Sequence, residues 1–313
     1  MEFKFLSKEE YLLRIAEIQD LFKICFNREI SYEFLKWRYI DNPINDIFVY
    51  VAIEDNKIVA NYSVSPLIGS VNGKCEKLAL SMTTMTHPDF AGKGFFTKLA
   101  NGVYEKMKES NYKTVLGFPN VNSHIGFVKK LGWKDIYEIP TLKLNLDNVR
   151  ITDGSDFNII EDNSFELDYS ELLNNGNKIN IYSNNESLIW RFKNNPINKY
   201  KNYVISKDGK ALASIITKEF NNEEVDIVLI NSLEIQLSKS LIEYIVYISK
   251  NKGVKYINTW NSIYSPEHEI LERLGFVNSN PITYFGARDL ENNNSEMYSY
   301  INWNINMGVS DVY

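Results

Sequence analysis

Residues 78–113 read LALSMTTMTHPDFAGKGFFTKLANGVYEKMKESNYK, and this stretch decides the fold. Its first part, Leu78–Thr86, is apolar and rich in threonine, which predicts a strand. A turn containing Gly92 and Gly94 follows. From Phe95 onwards, apolar residues recur every three or four positions, as on one face of a helix. The stretch therefore predicts a strand, a glycine loop and a helix, in that order.

A loop of this kind suits a negatively charged ligand. The first N–H groups of a helix have no intrahelical partner, and glycine lets the backbone approach a ligand closely. Helix N-termini therefore bind phosphate groups readily. The local pattern leaves a second interpretation open, in which Gly92 and Gly94 only shape a tight strand-to-helix turn.

Composition sets the class of protein. The chain has 313 residues, of which 44% are hydrophobic and 24% charged, and this predicts an ordinary globular chain of about two domains. Its net charge of −6 argues against a nucleic-acid-binding protein. Two cysteines, Cys25 and Cys75, and three histidines without a C-x-x-C pair argue against a disulfide framework or a zinc site. We expect no metal.

The N-terminal sequence bears on location. MEFKFLSKEEYLL is charged and has no apolar signal-peptide core. The sequence also contains no run of the ~20 apolar residues that span a bilayer. We therefore expect a cytoplasmic protein that does not contact membrane, and no pattern indicates an oligomeric state.

Downstream of the loop, the pattern predicts further elements. A short helix is expected over His124–Lys130, capped by Ser123 or Asn122. One or two strands are expected from Trp133 to Leu144, with an interruption at Pro140.

The second half of the chain repeats the first. Leu35–Asn45 reads LKWRYIDNPIN and Leu188–Asn198 reads LIWRFKNNPIN, with seven of eleven positions identical. Such self-similarity predicts a duplicated fold. The second copy has no glycine between its predicted strand, Val225–Ile230, and its predicted helix, Leu237–Lys250. We therefore expect it to lack the anion loop.

The repeated tryptophan–arginine pairs have two interpretations. Trp37 and Arg38, with Trp190 and Arg191 in the copy, would either bind an acceptor or support the fold. Because they recur in a copy without the loop, we favour a structural role.

The repeat also predicts segment boundaries. The predicted segments are a first domain, a second domain and a tail, with a boundary in the polar stretch Asn145–Ser155. Their ranges are 1–147, 155–290 and 291–313. The tail is expected to form a strand over Tyr298–Ile305 and to pack back through Trp303, Met307 and Val312.

Residues 86–96, THPDFAGKGFF, resemble the motif of the GNAT superfamily of acyl-CoA-dependent N-acetyltransferases, Arg/Gln-x-x-Gly-x-Gly/Ala. The family's common form is similar to V-H-P-D-Y-R-G-K-G-I-G. This sequence departs from it at Ala91 and at Phe96, where we expect the larger side chain to crowd the loop. Downstream, Asn120 to Ser123 and the run Lys130 to Trp133 resemble the family's asparagine-containing strand end and its Leu-Gly-Phe helix end.

The resemblance covers Phe3–Leu144 and extends to Phe157–Arg288 as a degenerate second copy. It implies an α/β (α+β) fold with two tandem GNAT-like domains, each a mixed, mostly antiparallel sheet flanked by helices. It also implies acetyl-CoA as co-substrate and a small-molecule amine as acceptor.

The resemblance implies a set of cofactor-binding residues. Backbone N–H groups of the loop would hold the pyrophosphate, the strand end would contact the pantetheine arm, and the asparagines would bond its amides. Lys93 is alternatively a solvated loop lysine, and the asparagines are alternatively only helix caps. The set comprises Met85, Thr86, His87, Gly92, Lys93, Gly94, Phe95, Phe96, Thr97, Asn120 and Asn122.

The residues that move protons are less clear from the pattern. The family's usual general acid is a tyrosine, but Val128 stands at its position. The catalytic candidates are therefore His124, with the adjacent Ser123, and Tyr137. For His87 we expect a role other than proton transfer. Many members of the family use water chains instead.

Two other functions stay open at this point. Aminoacyl transferases of the peptidoglycan-bridge (Fem-like) type also use tandem GNAT-like domains, although they generally lack the glycine loop. A non-catalytic CoA-binding sensor or scaffold would explain the missing tyrosine. Among acceptors, an amino sugar is slightly favoured by analogy over a nucleotide-linked amino sugar, a polyamine or a protein amine.

Overall fold

The computed structural model describes residues 1–150, 156–174, 179–291, 294–311 and 313. Residues 1–150 form six strands and four α-helices, and short 3₁₀ turns lie at Pro88–Phe90 and Leu146–Asn148. In chain order the elements are β1 (Glu2–Phe5), α1 (Lys8–Phe26), α2 (Tyr32–Tyr39), β2 (Phe48–Glu54), β3 (Lys57–Val71), β4 (Lys74–Thr86), α3 (Phe95–Glu109), β5 (Thr114–Gly117), α4 (Val121–Leu131) and β6 (Lys134–Asn145).

The second half of the chain follows a similar order. A π-helical turn, Ile189–Lys193, directly follows helix α6 (Asn185–Leu188), and 3₁₀ turns lie at Ser295–Tyr298, Tyr300–Asn302 and Met307–Val309. The elements are β7 (Ile159–Glu161), α5 (Ser170–Leu173), β8 (Asn180–Ile181), α6 (Asn185–Leu188), β9 (Tyr200–Lys207), β10 (Lys210–Glu219), β11 (Glu224–Ser232), α7 (Ile235–Asn251), β12 (Tyr256–Thr259), α8 (Pro266–Leu274) and β13 (Val277–Asp289).

The chain folds into two compact units, each of which takes a strand from the other half of the sequence. The part of β6 from Glu138 belongs to unit 2, and the part of β13 from Tyr284 belongs to unit 1. The bounds of these units do not coincide with the predicted segments 1–147, 155–290 and 291–313. The division into those segments stays a prediction. Unit 1 consists of Met1–Gly69, Glu76–Tyr137 and Tyr284–Tyr298, and unit 2 of Ser70–Cys75, Glu138–Thr283 and Ser299–Tyr313.

The sheet of unit 1 is mixed and mostly antiparallel. Its strand order is β1-β2-β3-β4-β5-β13. The pairs β1/β2, β2/β3 and β5/β13 are antiparallel, whereas β4 and β5 are parallel because α3 connects them as a crossover. Helices α3 and α4 bury their apolar stripes against this sheet, with Leu99, Val103, Met107, Phe127 and Leu131 in one core cluster.

The sheet of unit 2 has the same character. Its order is β6-β12-β11-β10-β9-β7, and among the ladders of its described residues only the β11/β12 pair is parallel. Helix α7 packs on it through Leu241, Ile242, Ile245 and Val246. The predicted strand Val225–Ile230 and the predicted helix Leu237–Lys250 are confirmed as β11 and α7.

Two local predictions were wrong. Helix α4 begins three residues earlier than expected, at Val121, because Asn120 rather than Ser123 or Asn122 caps it. Strand β6 continues through Pro140 without interruption. The proline is tolerated because the ladder with β12 begins only at Leu142, so that ladder does not require its missing N–H group.

The tail differs from the expected strand. Its described part forms 3₁₀ turns with a single bridge between Trp303 and Ile179, since asparagine and serine side chains compete for backbone groups. The expected packing is confirmed for Trp303 and Met307, which are buried. The expected packing of Val312 and part of the boundary Asn145–Ser155 lie outside the described residues.

Candidate functional site

The site of unit 1 begins where two parallel strands separate. The β4/β5 ladder pairs Leu78 with Thr114 and ends at Leu80 opposite Leu116. Strand β4 continues for six more residues to Thr86, whereas β5 ends at Gly117. The end of β4 beyond Leu80 therefore has an edge that does not pair with β5.

The loop after β4 is held at its start. The His87 N–H donates to the carbonyl oxygen of Val59 at 2.8 Å, and His87 Nδ1 accepts from the Asp89 N–H at 3.2 Å. The Phe90 N–H donates to the His87 carbonyl oxygen at 2.9 Å. These bonds make His87 a local cap of the 3₁₀ turn.

Gly92 and Gly94 have backbone angles that favour glycine. Their φ values are +76° and +78°, in the left-handed region. A Cβ at either position would meet no protein atom within 4 Å. The two glycines are therefore explained by backbone conformation, and the space beside them is open to a ligand.

Helix α3 starts directly after this loop with Gly94 as its N-cap. The N–H groups of Phe95, Phe96 and Thr97 have no intrahelical acceptor because they belong to the first turn. The Lys93 ammonium lies 4.4 Å from the ring centroid of Phe90. This cation–π contact keeps the exposed Lys93 side chain beside the loop.

Phe96 does not crowd the loop, so that expectation was wrong. Its ring belongs to the core cluster of unit 1 and lies edge-on to Phe127, with centroids 5.3 Å apart. Gly126 makes room for it, because a Cβ there would stand 3.2 Å from Phe96 Cε1. Ala91 lies on the surface and only closes the 3₁₀ turn through its N–H, which donates to Pro88.

Met85 is buried at the end of β4, and the next residue has a partner on α1. The Cys25 thiol donates to the carbonyl oxygen of Thr86 at 3.3 Å. Burial raises the pKa of this thiol, so it stays protonated and serves as a donor. This contact ties the end of β4 to α1.

The asparagines at the start of α4 differ in role. Asn120 Oδ1 accepts from the N–H groups of Asn122 and Ser123, both at 3.0 Å. Asn120 is therefore a helix cap, and its amide oxygen is used locally. Asn122 is exposed on the first turn of the helix.

The histidine of α4 has two neighbours that sequence reasoning missed. His124 Nε2 lies 2.7 Å from Asp135 Oδ1. The imidazole also stacks on the ring of Tyr284, with centroids 4.2 Å apart and planes 9° from parallel. No local signal indicated Tyr284, which lies 160 positions away on β13. The other candidate, Tyr137, is half-buried on β6.

Below the separated strands lies a chain of hydroxyl groups. Tyr62 OH is 2.9 Å from Ser81 Oγ and 2.7 Å from Tyr104 OH, to which the Trp133 indole N–H donates at 2.8 Å. Burial raises the pKa of Tyr62 well above its usual value and that of Tyr104 to about 12. Both hydroxyls are therefore neutral at physiological pH.

The described residues carry no group of three or more histidine, cysteine, aspartate or glutamate side chains that could hold a metal ion. Among the same residues, no helix combines the length and apolar character needed to cross a membrane.

Comparisons with known proteins agree with this geometry. Residues 12–136 match the family model described as an acetyltransferase (GNAT) domain. A comparison with curated proteins finds no significant match.

Solved structures share the fold over most of the chain. One is a conserved protein of unknown function, a probable N-acyltransferase, from Enterococcus faecalis V583, with a TM-score of 0.70 and 16% identity over 93% of this chain and 73% of that one. The others are GCN5-related N-acetyltransferases. That of Anabaena variabilis ATCC 29413 has a TM-score of 0.70 and 12% identity over 92% and 72% of the two chains. That of Kribbella flavida has a TM-score of 0.70 and 9% identity over 93% and 72%.

At these identities the solved structures show the fold alone, and the family model adds the domain type. The parallel pair that separates, the glycine loop and the helix start all lie in unit 1, within or next to the matched residues. Residues 12–136 are therefore similar to the acetyltransferase (GNAT) domain in sequence, and the chain shares the fold of GCN5-related N-acetyltransferases.

Proposed function

We propose that this protein transfers the acetyl group of acetyl-CoA directly to an amine acceptor while both substrates are bound. The observation that carries the proposal is the separation of β4 from β5 beyond Leu80, followed by Gly92, Gly94 and the first turn of α3. This arrangement lies in a chain with a GNAT domain. The proposal includes the expected cytoplasmic location and small-molecule acceptor.

The residues of the loop fit the pyrophosphate of acetyl-CoA. The N–H groups of Phe95, Phe96 and Thr97 would hold it at the positive end of the α3 dipole. Gly92 and Gly94 leave the approach open, because even a Cβ on them would touch no protein atom within 4 Å. Lys93, beside these residues, would add a positive charge.

The end of β4 would hold the pantetheine arm. Its edge beyond Leu80 is not paired with β5, so backbone groups there, including those of Met85 and Thr86, would receive the arm and polarise the thioester carbonyl. Asn122 would bond a pantetheine amide. For His87 and Asn120, the proposed contribution is to shape the loop and the helix start, because their main polar groups are engaged locally.

Acetyl-CoA supplies an activated acetyl group. In the transfer, the acceptor nitrogen forms a bond to the acetyl carbon and the carbon–sulfur bond breaks. One proton leaves the nitrogen, and the sulfur takes one up. In this proposal, His124, whose ring is held by Asp135, carries the proton to the sulfur. Tyr137 is the second candidate for this step.

Calorimetric titration with acetyl-CoA tests the binding step. We expect Gly94→Ala to raise the Kd at least tenfold, because the variant strains the loop and places a methyl group where the ligand would lie. Gly209→Ala is the matched control. Gly209 has the same φ of +78° and equally open surroundings, but it lies in unit 2. No binding by the wild type at millimolar acetyl-CoA would refute the proposal.

Thiol release against a panel of amines tests the transfer step. We expect at least one amine to raise CoA release well above the rate of acetyl-CoA hydrolysis. Tight binding of acetyl-CoA without release across the panel would instead indicate the CoA-binding sensor. Binding of aminoacyl-tRNA without binding of CoA would indicate the Fem-like aminoacyl transferase.

A further inference from the structure

Four uncharged polar side chains from three elements of unit 1 meet beside the end of β4. Tyr39 OH and Thr83 Oγ1 share a hydrogen bond of 2.5 Å, and Ser63 Oγ lies 2.7 Å from Thr83 Oγ1. Asn61 Nδ2 donates to Ser63 Oγ at 2.9 Å and to the Thr83 carbonyl oxygen at 2.6 Å. We call Tyr39, Asn61, Ser63 and Thr83 the polar cluster.

The polar cluster lies at the separated strands. Thr83 is three residues beyond Leu80, the last residue of β4 that pairs with β5. Its φ is +49°, which is unusual for a β-branched residue inside a strand. Backbone strain of this kind persists where surrounding contacts enforce it, and it occurs preferentially at functional sites. The cluster therefore borders the segment that, in the proposed function, receives the thioester.

The cluster retains hydrogen-bonding capacity that the described protein atoms do not use. Asn61 is 1% exposed, and its Oδ1 atom has no hydrogen-bond partner among the described residues. The Oγ1 atom of the neighbouring Thr84 is likewise buried without such a partner. Buried polar atoms are rarely left in this state unless a ligand or water completes them. Asn61 Oδ1 can only accept, so it calls for a donor.

The repeated half shows that the fold does not require the hydroxyl groups of Tyr39 and Ser63. The repeat has an offset of 153 residues, which is the difference between Leu35 and Leu188. The strand registers keep this offset, since Tyr50 pairs with Tyr62 and Tyr203 pairs with Ile215.

At that offset, Phe192 and Ile216 replace two hydroxyl-bearing members of the cluster, Tyr39 and Ser63. In unit 2 the place beside Phe192 is taken by polypeptide. A Cβ on Gly308 would stand 3.0 Å from Phe192 Cζ.

We propose that the polar cluster is the acceptor subsite and that it selects an amine surrounded by hydroxyl groups and carrying no second charge. This inference rests on the proposed function. Hydroxyl groups supply the donor that Asn61 Oδ1 lacks, and they exchange hydrogen bonds with Tyr39, Ser63 and Thr83. A polyamine would bring further cations next to a cluster that contains no carboxylate, and burying an unpaired charge is costly.

The test compares two amines and two variants. Acetyl transfer to D-glucosamine and to spermidine is measured by thiol release, with acetyl-CoA Kd measured separately by calorimetry. We expect kcat/KM for glucosamine to exceed that for spermidine at least tenfold. Tyr39→Phe and Ser63→Ala each remove one hydroxyl, and we expect each to raise the KM for glucosamine about 5- to 50-fold with acetyl-CoA Kd changed less than twofold.

Ser238→Ala is the matched control, because Ser238 is a fully buried serine of α7 in unit 2. This substitution should leave the KM for glucosamine and the Kd for acetyl-CoA unchanged. The subsite is overturned if spermidine is the better acceptor, if glucosamine is not acetylated although acetyl-CoA binds, or if KM is unchanged in both folded variants. Failure of the wild type to bind acetyl-CoA overturns the proposed function, and the subsite with it.

Discussion

His124 Nε2 and Asp135 Oδ1 lie 2.7 Å apart, and this contact fixes one imidazole nitrogen of α4 against the start of β6. The ring is further held by stacking on Tyr284. A carboxylate that holds one ring nitrogen orients the imidazole and leaves the other nitrogen to take up or release a proton. These two contacts support the proposed role of His124 as a proton carrier, although neither neighbour is evident from its local sequence.

Replacing the histidine tests its proposed role. We expect His124→Gln to lower kcat by about 10²- to 10⁴-fold, the usual contribution of a general acid, with acetyl-CoA Kd unchanged. Asp135→Asn should lower kcat less, because it disturbs the orientation of the ring but keeps the imidazole. His268→Gln in α8 is the matched control and should have no effect. A kcat within twofold of wild type for His124→Gln would exclude the role.

Gly102 on α3 faces a ring that cannot move freely. A Cβ at Gly102 would stand 2.5 Å from Tyr50 Cε1, and Tyr50 is stacked on Phe5 with centroids 4.1 Å apart. Alanine gains about 1 kcal/mol of helix propensity over glycine, but overpacking costs about 1–3 kcal/mol. We therefore expect Gly102→Ala to lower the free energy of unfolding by about 1 kcal/mol, measured by urea titration.

A double-mutant cycle isolates the clash. In a Tyr50→Ala background the same Gly102→Ala change should become stabilising, because only the helix propensity then remains. A similar destabilisation in both backgrounds would show that the ring is not the cause.

The raised pKa of Tyr104 predicts that the protein loses stability at alkaline pH. Burial raises its pKa from 10.0 to about 12. The folded state therefore keeps the phenol proton longer than the unfolded state does. Stability from this group is complete below pH 10 and is lost as the pH rises towards 12. The loss amounts to about 3 kcal/mol, at roughly 1.4 kcal/mol per pKa unit.

Chemical denaturation at several pH values, with tyrosinate absorbance recorded in parallel, measures this slope. Tyr104→Phe should be less stable at pH 8, because it leaves the Trp133 indole N–H and Tyr62 OH with one partner fewer. It should also lose less stability between pH 10 and 12. An equal slope in both proteins would contradict the assignment.

Arg191 holds the C-terminal segment within unit 2. Its guanidinium donates to the carbonyl oxygens of Gly308 at 2.9 Å and Ser310 at 3.1 Å, and to Tyr200 OH at 2.7 Å. We expect Arg191→Met to lower the free energy of unfolding by at least about 3 kcal/mol, because buried carbonyls lose charged donors. Thermal unfolding followed by circular dichroism measures the change.

The control for Arg191 lies two residues further along the same turn. Lys193 is exposed, so Lys193→Met should change stability by less than about 0.5 kcal/mol. Equal effects of the two substitutions would show that the buried contacts are not what stabilises this segment. The structural interpretation of the repeated arginine would then be wrong for Arg191.

Local sequence predicted the parts of the fold that depend on neighbouring residues. The strand before Thr86, the loop with Gly92 and Gly94, and helix α3 were all evident, because apolar periodicity and left-handed glycines act within a few positions. Such signals are less sharp at helix starts, where several asparagines and serines compete. The sequence placed the cap of α4 at Ser123 or Asn122, whereas the structure has it at Asn120.

Tertiary structure alone decided which distant residues meet. The sequence by itself determined the order of strand, glycine loop and helix in residues 78–113 and the repeat, and its resemblance to the GNAT family implied the mixed sheet. It did not reveal that β6 completes the sheet of unit 2 while β13 completes that of unit 1. It also did not bring Tyr284 to His124 or Tyr39 to Thr83. The physical reason is that strand pairing and side-chain packing join residues by shape and hydrogen bonding across the folded chain, and these leave no periodic signal in the sequence.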